Sequence, residues 1–193
     1  MSNSDIQRLA QQIYEKHKEA LDIIFDYRLN PQQQIHTYIK GLIQDHPELV
    51  EDRSTATMIR FSTLPFDQTP LRNSCNPWTK TGRLLLFEFK NPNSGGLDLQ
   101  LHIGPTHREE GRPEIRKMLE DFIEAHQPEV FNEYKTINHG DHVRLYHKRW
   151  IHAEDFRTKD VDTMKRQIEN RFEEFLREDL PRIHQVIQSV FTI

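Results

Sequence analysis

The chain has 193 residues, of which 35% are hydrophobic and 29% charged, and this predicts one ordered domain with a very polar surface. Its formal net charge of −4 excludes a general attraction to nucleic acid, so any contact with phosphates must be local. The only cysteine, Cys75, excludes an intramolecular disulfide. No apolar run approaches the roughly 18 residues of a membrane span and no signal pattern opens the chain, so we expect a cytoplasmic protein without membrane association.

Two amphipathic helices are predicted at the start of the chain. Apolar residues recur at steps of three or four in residues 6–24, and a second stripe of this kind follows Pro31, which suits the first position of a helix. Pro47 ends the second helix. We expect the two helices to form an antiparallel hairpin within residues 1–46.

Strands dominate the centre of the chain. Residues 56–62 read as a strand, residues 83–90 (RLLLFEFK) are rich in strand-forming side chains, and residues 97–103 (LDLQLHI) alternate most regularly. The turn-forming sequence NPNSGG between the last two predicts a hairpin. Residues 64–82 contain three prolines and predict a long irregular segment, of a kind that is often functional.

The remaining elements complete an α+β pattern. A helix begins at Pro113, a strand covers residues 142–151, and a charged helix runs from about Thr158 and kinks or restarts at Pro181. The predicted order is ααβββαβα, with two N-terminal helices, a mainly antiparallel mixed sheet of four to five strands, and helices packed on the sheet. We interpret residues 1–193 as a single domain in three parts: the helical hairpin (1–46), the sheet with its inserted helix (56–151) and the C-terminal helix (158–191).

Glu88 and Lys90 lie two positions apart on a predicted strand, so their side chains project from the same face. A carboxylate so placed can hold a divalent metal ion while the ammonium group stabilises charge on a phosphate, which is the chemistry of metal-dependent nucleases. Such enzymes need a further carboxylate, for which Asp67 and Asp98 are the candidates. A nuclease of this kind would require magnesium or manganese.

The same hairpin has a purely structural interpretation, which we favour. Pairing Lys90 with Asp98 places Glu88 opposite Gln100, so that one face of the hairpin is apolar and the other is mostly polar. The polar face would then carry an ion pair between Lys90 and Asp98, and an exposed pair contributes at most about 1 kcal/mol. On this interpretation the chain has no catalytic residue and needs no cofactor.

Two segments hold candidate binding residues. Residues 102–117 lead from a strand end through Gly104 and Pro105 to a helix start, where amide groups and arginines can bind an anion. Residues 135–152 form a basic strip in which aromatic side chains alternate with charges, a pattern that can stack bases or cover a core. Histidines in these segments lack the spacing of a zinc site, so we predict no metal centre. The candidate binding residues are His102, His107, Arg108, Arg112, Arg116, Arg144, Lys148, Arg149 and Trp150.

Five short blocks of the sequence carry a family resemblance: YEKHKEAL at 14–21, IRF at 59–61, WTKTGR at 78–83, LFEF at 86–89 and LHIGP at 101–105. Together they look like the C-terminal region found in bacterial proteins of the PD-(D/E)XK nuclease superfamily, downstream of the catalytic module. In that group the nuclease carboxylates and lysine lie in the upstream module, which the resemblance does not cover. The resemblance therefore implies no catalytic residue here, and it implies a setting in bacterial or phage DNA metabolism or defence.

The leading prediction is a non-catalytic recognition domain that binds a nucleic acid or a protein partner through the two candidate segments. One alternative is the metal-dependent nuclease that uses Glu88 and Lys90. A second alternative is a structural domain that forms homo-oligomers through its C-terminal helix. The apolar residues of this helix can dock on the domain itself or on a second copy, and they are Ile183, Val186, Ile187, Val190 and Phe191.

Overall fold

A six-stranded antiparallel sheet is the framework of the second of two units, Met1–Asn30 and Pro31–Ile193, into which the chain divides. The structure is a computed structural model. It describes residues 3–27, 31–72, 79, 81–91, 96–106, 112–137 and 142–191.

The first unit consists of one helix, α1 (Asn3–Tyr27), as its amphipathic pattern predicts. Backbone angles at His17 are not helical, so the helix is kinked at that residue. The Tyr14 hydroxyl donates a hydrogen bond to the Asp22 carboxylate across the kink.

The second unit holds all the strands, and its elements are α2 (Pro31–Asp45), β1 (Leu49–Thr55), β2 (Met58–Thr63), α3 (Leu64–Asp67), β3 (Leu85–Lys90), β4 (Leu97–Ile103), α4 (Pro113–His126), β5 (Lys135–Ile137), β6 (His142–Ile151), α5 (Asp155–Thr158), α6 (Val161–Glu174), a π-helical segment (Phe175–Asp179) and α7 (Leu180–Phe191). The strands are arranged in the order β1-β2-β3-β4-β6-β5, and every neighbouring pair is antiparallel.

The α+β class is confirmed, but the predicted strand count and order are wrong. The sheet has six strands where four to five were expected, because β1 and β5 were missed. Both lie at the edges of the sheet, where a strand pairs on one side only. β1 reads LVEDRST, in which consecutive charged residues obscure the alternation, and β5 has only three residues.

The predicted register of the central hairpin is confirmed. Lys90 pairs with Asp98 and Glu88 with Gln100 across β3 and β4. Because side chains alternate along a strand, this register sorts the sheet into an apolar face and a polar face.

The apolar face forms the core with helices α2, α6 and α7. Phe61 stacks on Phe87 and Phe89, with ring centroids 5.1 and 5.7 Å apart. The C-terminal helix contributes Ile183 and Ile187, which are both completely buried within this chain. Of the two docking arrangements open to that helix, docking on its own domain is therefore the one observed.

The interruption predicted at Pro181 takes the form of a change in helix type. The chain passes from α6 into the π-helical segment and returns to α geometry at Leu180. Within the π-helical segment, Asp179 is buried and accepts hydrogen bonds from the Tyr146 hydroxyl at 2.7 Å and the Lys148 ammonium at 2.6 Å. π-Helical turns are rare, and they often occur where a side chain such as Asp179 must be held in a particular position.

None of the helices in the described ranges is both long enough and apolar enough to cross a membrane.

Candidate functional site

The polar face of the central hairpin is buried around Glu88. Arg60 Nε donates to Glu88 Oε1 at 2.6 Å, and Lys90 Nζ lies 3.4 Å from Glu88 Oε2. His102 Nε2 donates to Gln100 Oε1 at 2.9 Å and lies 3.7 Å from Glu88 Oε2. Only 4% of the Glu88 and His102 side-chain surfaces is exposed. The polar face was predicted to carry an exposed ion pair, and its centre is instead a buried cluster around Glu88.

Burial and nearby cations determine the protonation states of Glu88 and His102 on this face. Burial alone would raise the pKa of the Glu88 carboxyl, but His102 when protonated, Arg60 and Lys90 together hold it below its usual range. Burial lowers the pKa of His102 to about 4, despite the nearby Glu88 carboxylate. At neutral pH, Glu88 is therefore ionised and His102 is neutral.

A pH dependence of stability follows from His102. The unfolded imidazole has its ordinary pKa near 6.5, so between about pH 6.5 and about pH 4 the unfolded chain binds a proton that the folded chain does not. We expect the free energy of unfolding to fall by about 2 kcal/mol between about pH 7 and about pH 5 from this group alone. Urea titrations at both pH values should show a smaller fall in a His102→Gln variant. The exposed His152→Gln variant is the control, and an equal fall in all three proteins would contradict the assignment.

The three candidate carboxylates of the nuclease hypothesis belong to separate ion-pair groups. Asp67 accepts two hydrogen bonds from Arg83, at 2.7 and 2.6 Å. Asp98 accepts two from Arg149, at 2.6 and 2.9 Å, so its partner is this arginine rather than the predicted Lys90. Across the described ranges, no three acidic, histidine or cysteine side chains are grouped to hold a metal ion. The expectation of no metal or cofactor stays a prediction.

Four arginines of the predicted binding segments pair with carboxylates of this chain. The pairs are Arg112 with Glu114 at 3.1 Å, Arg116 with Glu120 at 2.8 Å, Arg144 with Glu133 at 2.5 Å, and Arg149 with Asp98 at 2.6 Å. Arg116 also donates to the Gly104 carbonyl at 3.1 Å, which joins α4 to the end of β4. His107 and Arg108 lie outside the described residues.

The basic strip predicted for residues 135–152 is divided between the two faces of the sheet. Lys148 pairs across the sheet with Leu99 and points to the apolar side, where it meets Asp179, whereas Arg149 pairs with Asp98 on the polar side. Trp150 is 2% exposed and packs edge-on against Phe89, with ring centroids 4.7 Å apart. Of the two roles considered for its ring, the structure shows packing in the core.

A cavity at the C-terminal end of α4 was missed by the sequence analysis. Its volume is about 400 Å³, within the range of small-ligand and side-chain pockets. We call it the α4 cavity; it is lined by Ile123, Glu124, Pro128, Glu129, Phe131 and Tyr134, together with Gln127, the residue that caps the helix.

Local sequence explains why the α4 cavity forms. Gln127 has a left-handed backbone (φ 38°), and its N–H donates to the Ile123 carbonyl at 2.8 Å, which ends the helix. Pro128 then turns the chain away, because proline cannot continue a helix. The segment that follows returns to the sheet at β5 and places Phe131 and Tyr134 beside the end of α4. The sequence QPEVFNEY, with its proline, acids and aromatic residues after a helix, is the signal that could have indicated this site.

Two carboxylates and an exposed ring give the α4 cavity its chemistry. Glu124 and Glu129 line it, and none of the described residues that line it is basic. Tyr134 is 49% exposed. Burial is the main cause of the raised pKa of the Tyr134 hydroxyl, and the nearby carboxylates of Glu120 and Glu124 raise it further, whereas Arg116 acts against them.

Comparisons with protein-family models, with curated proteins and with solved structures found no match to this chain. The described part of the chain is thus an α+β protein in which helices flank a six-stranded antiparallel sheet. The α4 cavity, with its acidic and aromatic lining, lies at the C-terminal end of α4.

Proposed function

We propose that this chain is a non-catalytic accessory domain that binds a peptide segment of a protein partner in the α4 cavity. The single observation on which the proposal depends is the cavity itself, because it combines a partly apolar lining with an exposed tyrosine ring. Exposed aromatic side chains beside a cavity are typical anchor points of protein interfaces. The resemblance to the C-terminal region of PD-(D/E)XK superfamily proteins supports an accessory role in bacterial or phage DNA metabolism or defence.

Charge favours a protein over a nucleic acid as the partner. Arg116, Arg144 and Arg149 are each paired with a partly buried carboxylate, so a phosphate would have to displace an acidic side chain at these three positions. The pair of Arg112 with Glu114 is exposed and adds little to this argument. The α4 cavity is lined by two carboxylates, which repel phosphates. The formal net charge of −4 also disfavours binding to a nucleic acid.

Ion pairing also favours binding over nuclease chemistry. Glu88, Asp67 and Asp98 each form a close salt bridge with a different arginine. A divalent metal ion bound by these carboxylates would have to compete with those guanidinium groups. The carboxylates serve instead to neutralise buried or half-buried cations.

A peptide-display selection tests the proposed function. Random peptides are selected on the full chain, and their dissociation constants are then measured on a Tyr134→Ala variant. We expect binding to weaken at least about tenfold, because the variant removes the exposed ring at the cavity. A Met118→Ala variant is the matched control, since Met118 is an exposed residue of α4 that does not line the cavity, and it should change binding by less than about twofold.

Two results would overturn the proposal. One is a selection that yields no peptide whose binding depends on Tyr134. The other is duplex DNA that binds at physiological salt and is released by an Arg112→Ala/Arg116→Ala variant, which would return the function to nucleic-acid recognition.

A further inference from the structure

We infer that the α4 cavity recognises a lysine or arginine side chain of the bound segment, an inference that rests on the proposed function. Four features of the cavity favour such a group: two carboxylates without a close basic partner among the described residues, the end of a helix, aromatic rings and apolar contacts along the lining.

The carboxylates are available to an incoming cation. Among the described residues, Glu124 has no basic group within salt-bridge distance. Within the same described ranges the Glu129 carboxylate pairs with Arg182 alone, at 3.6 Å, and the two side chains are largely exposed, at 92% for Glu129 and 58% for Arg182. An ion pair that long and that exposed to water is weak, so a cation entering the cavity can replace Arg182 at small cost.

The end of α4 adds negative potential of its own. The cavity is built around the last turn of this helix, from Ile123 to the cap at Gln127. Backbone carbonyl groups give the C-terminal end of a helix a partial negative charge, which favours cations.

The rest of the lining suits the form of a lysine or arginine side chain. Both have an apolar stem and a charged end, and such stems pack along apolar surface. Ile123 and Pro128 offer that surface, and the rings of Phe131 and Tyr134 can attract the charged end through their faces. A small inorganic cation would use the carboxylates but leave these apolar and aromatic contacts unused, so the cavity fits a basic side chain better.

The test uses the peptides selected on the wild-type chain. We expect them to share a lysine or arginine at one position, and replacing this residue by norleucine, which keeps an apolar stem without the charge, should weaken binding at least about tenfold. A Glu124→Gln/Glu129→Gln variant should weaken the basic peptide to a similar extent and leave the norleucine peptide unchanged. Raising sodium chloride from about 50 mM to about 200 mM should weaken the basic peptide on the wild type and have little effect on this variant.

A matched variant and the remaining outcomes separate the two proposals. Glu154→Gln/Glu173→Gln removes two exposed carboxylates that do not line the cavity and should leave binding unchanged. Apolar or acidic peptides that still depend on Tyr134 would overturn the recognition of a cation while leaving the proposed function in place. A selection without any Tyr134-dependent peptide would overturn both.

Discussion

Replacing Arg83 by methionine is expected to lower the free energy of unfolding by about 3 to 5 kcal/mol. The Arg83 side chain is only 7% exposed and donates to Asp67 at 2.7 and 2.6 Å and to Asp52 at 2.8 Å. Asp52, on β1, is 2% exposed and also accepts a hydrogen bond from Thr81. Methionine keeps most of the apolar stem but leaves two carboxylates buried without their cation, which is among the most costly changes a protein interior can undergo.

Urea unfolding measures this effect, and the midpoint should move while the slope stays constant. Arg177→Met is the matched control, because Arg177 is 71% exposed and forms its salt bridge with the neighbouring, exposed Glu178, and this variant should cost less than about 0.5 kcal/mol. A triple variant that also carries Asp52→Asn and Asp67→Asn should recover part of the loss, since no buried charge then remains unpaired. A loss below about 1 kcal/mol for Arg83→Met would show that the cluster does not contribute as its geometry indicates.

Replacing Glu88 by alanine is expected to lower the free energy of unfolding by about 2 to 3 kcal/mol without removing any enzymatic activity. The buried Glu88 carboxylate accepts a hydrogen bond from Arg60 at 2.6 Å, and the Arg60 side chain is itself only 14% exposed. Truncation therefore removes a close counter-charge from a largely buried cation. Lys90→Ala should cost less than about 1 kcal/mol, because Lys90 is 40% exposed and its contact with Glu88 is longer, at 3.4 Å.

The same pair of variants distinguishes a structural Glu88 from a catalytic one. Plasmid and single-stranded DNA are incubated with magnesium or manganese and with each protein, and the free energy of unfolding is measured in parallel. We expect no metal-dependent cleavage by the wild type. Cleavage by the wild type that is lost in Glu88→Ala, with little change in stability, would establish the nuclease alternative instead.

The sequence alone predicted the β3–β4 register and the start of α4, because both depend on residues that are close together in the chain. The register of β3 against β4 follows from alternation alone, because a slip by one residue would have moved Phe87 and Phe89 out of the core. The start of α4 at Pro113 likewise follows from the geometry that proline imposes on a first helical turn. Edge strands such as β5 carry no comparable signal, since only one of their sides is paired.

Ion pairs could not be predicted in the same way, because their partners are far apart in the chain. Arg83 and Asp52 are separated by 31 positions, and Tyr146 and Asp179 by 33. The sequence shows that such residues are charged or polar, but their partners become known only once the strands and helices are placed. The basic strip was for this reason interpreted as a surface, whereas Lys148 and Arg149 point to opposite faces and each meets a carboxylate.

The two edge strands of the sheet, β1 and β5, limit the ways in which another protein can bind to this chain. The edge strand β1 carries Glu51, Asp52 and Arg53 in succession, with an irregular register between Glu51 and Ser54, and the other edge strand, β5, has three residues in the described part of the chain. Charged, bulged or very short edge strands resist the addition of a foreign strand, which protects a protein against fibrous aggregation. They also disfavour the mode of peptide capture in which a ligand extends a sheet through main-chain hydrogen bonds. We therefore expect this chain to recognise a partner through the partner's side chains. Substitutions in the partner's sequence should change binding more than the partner's ability to adopt an extended strand conformation.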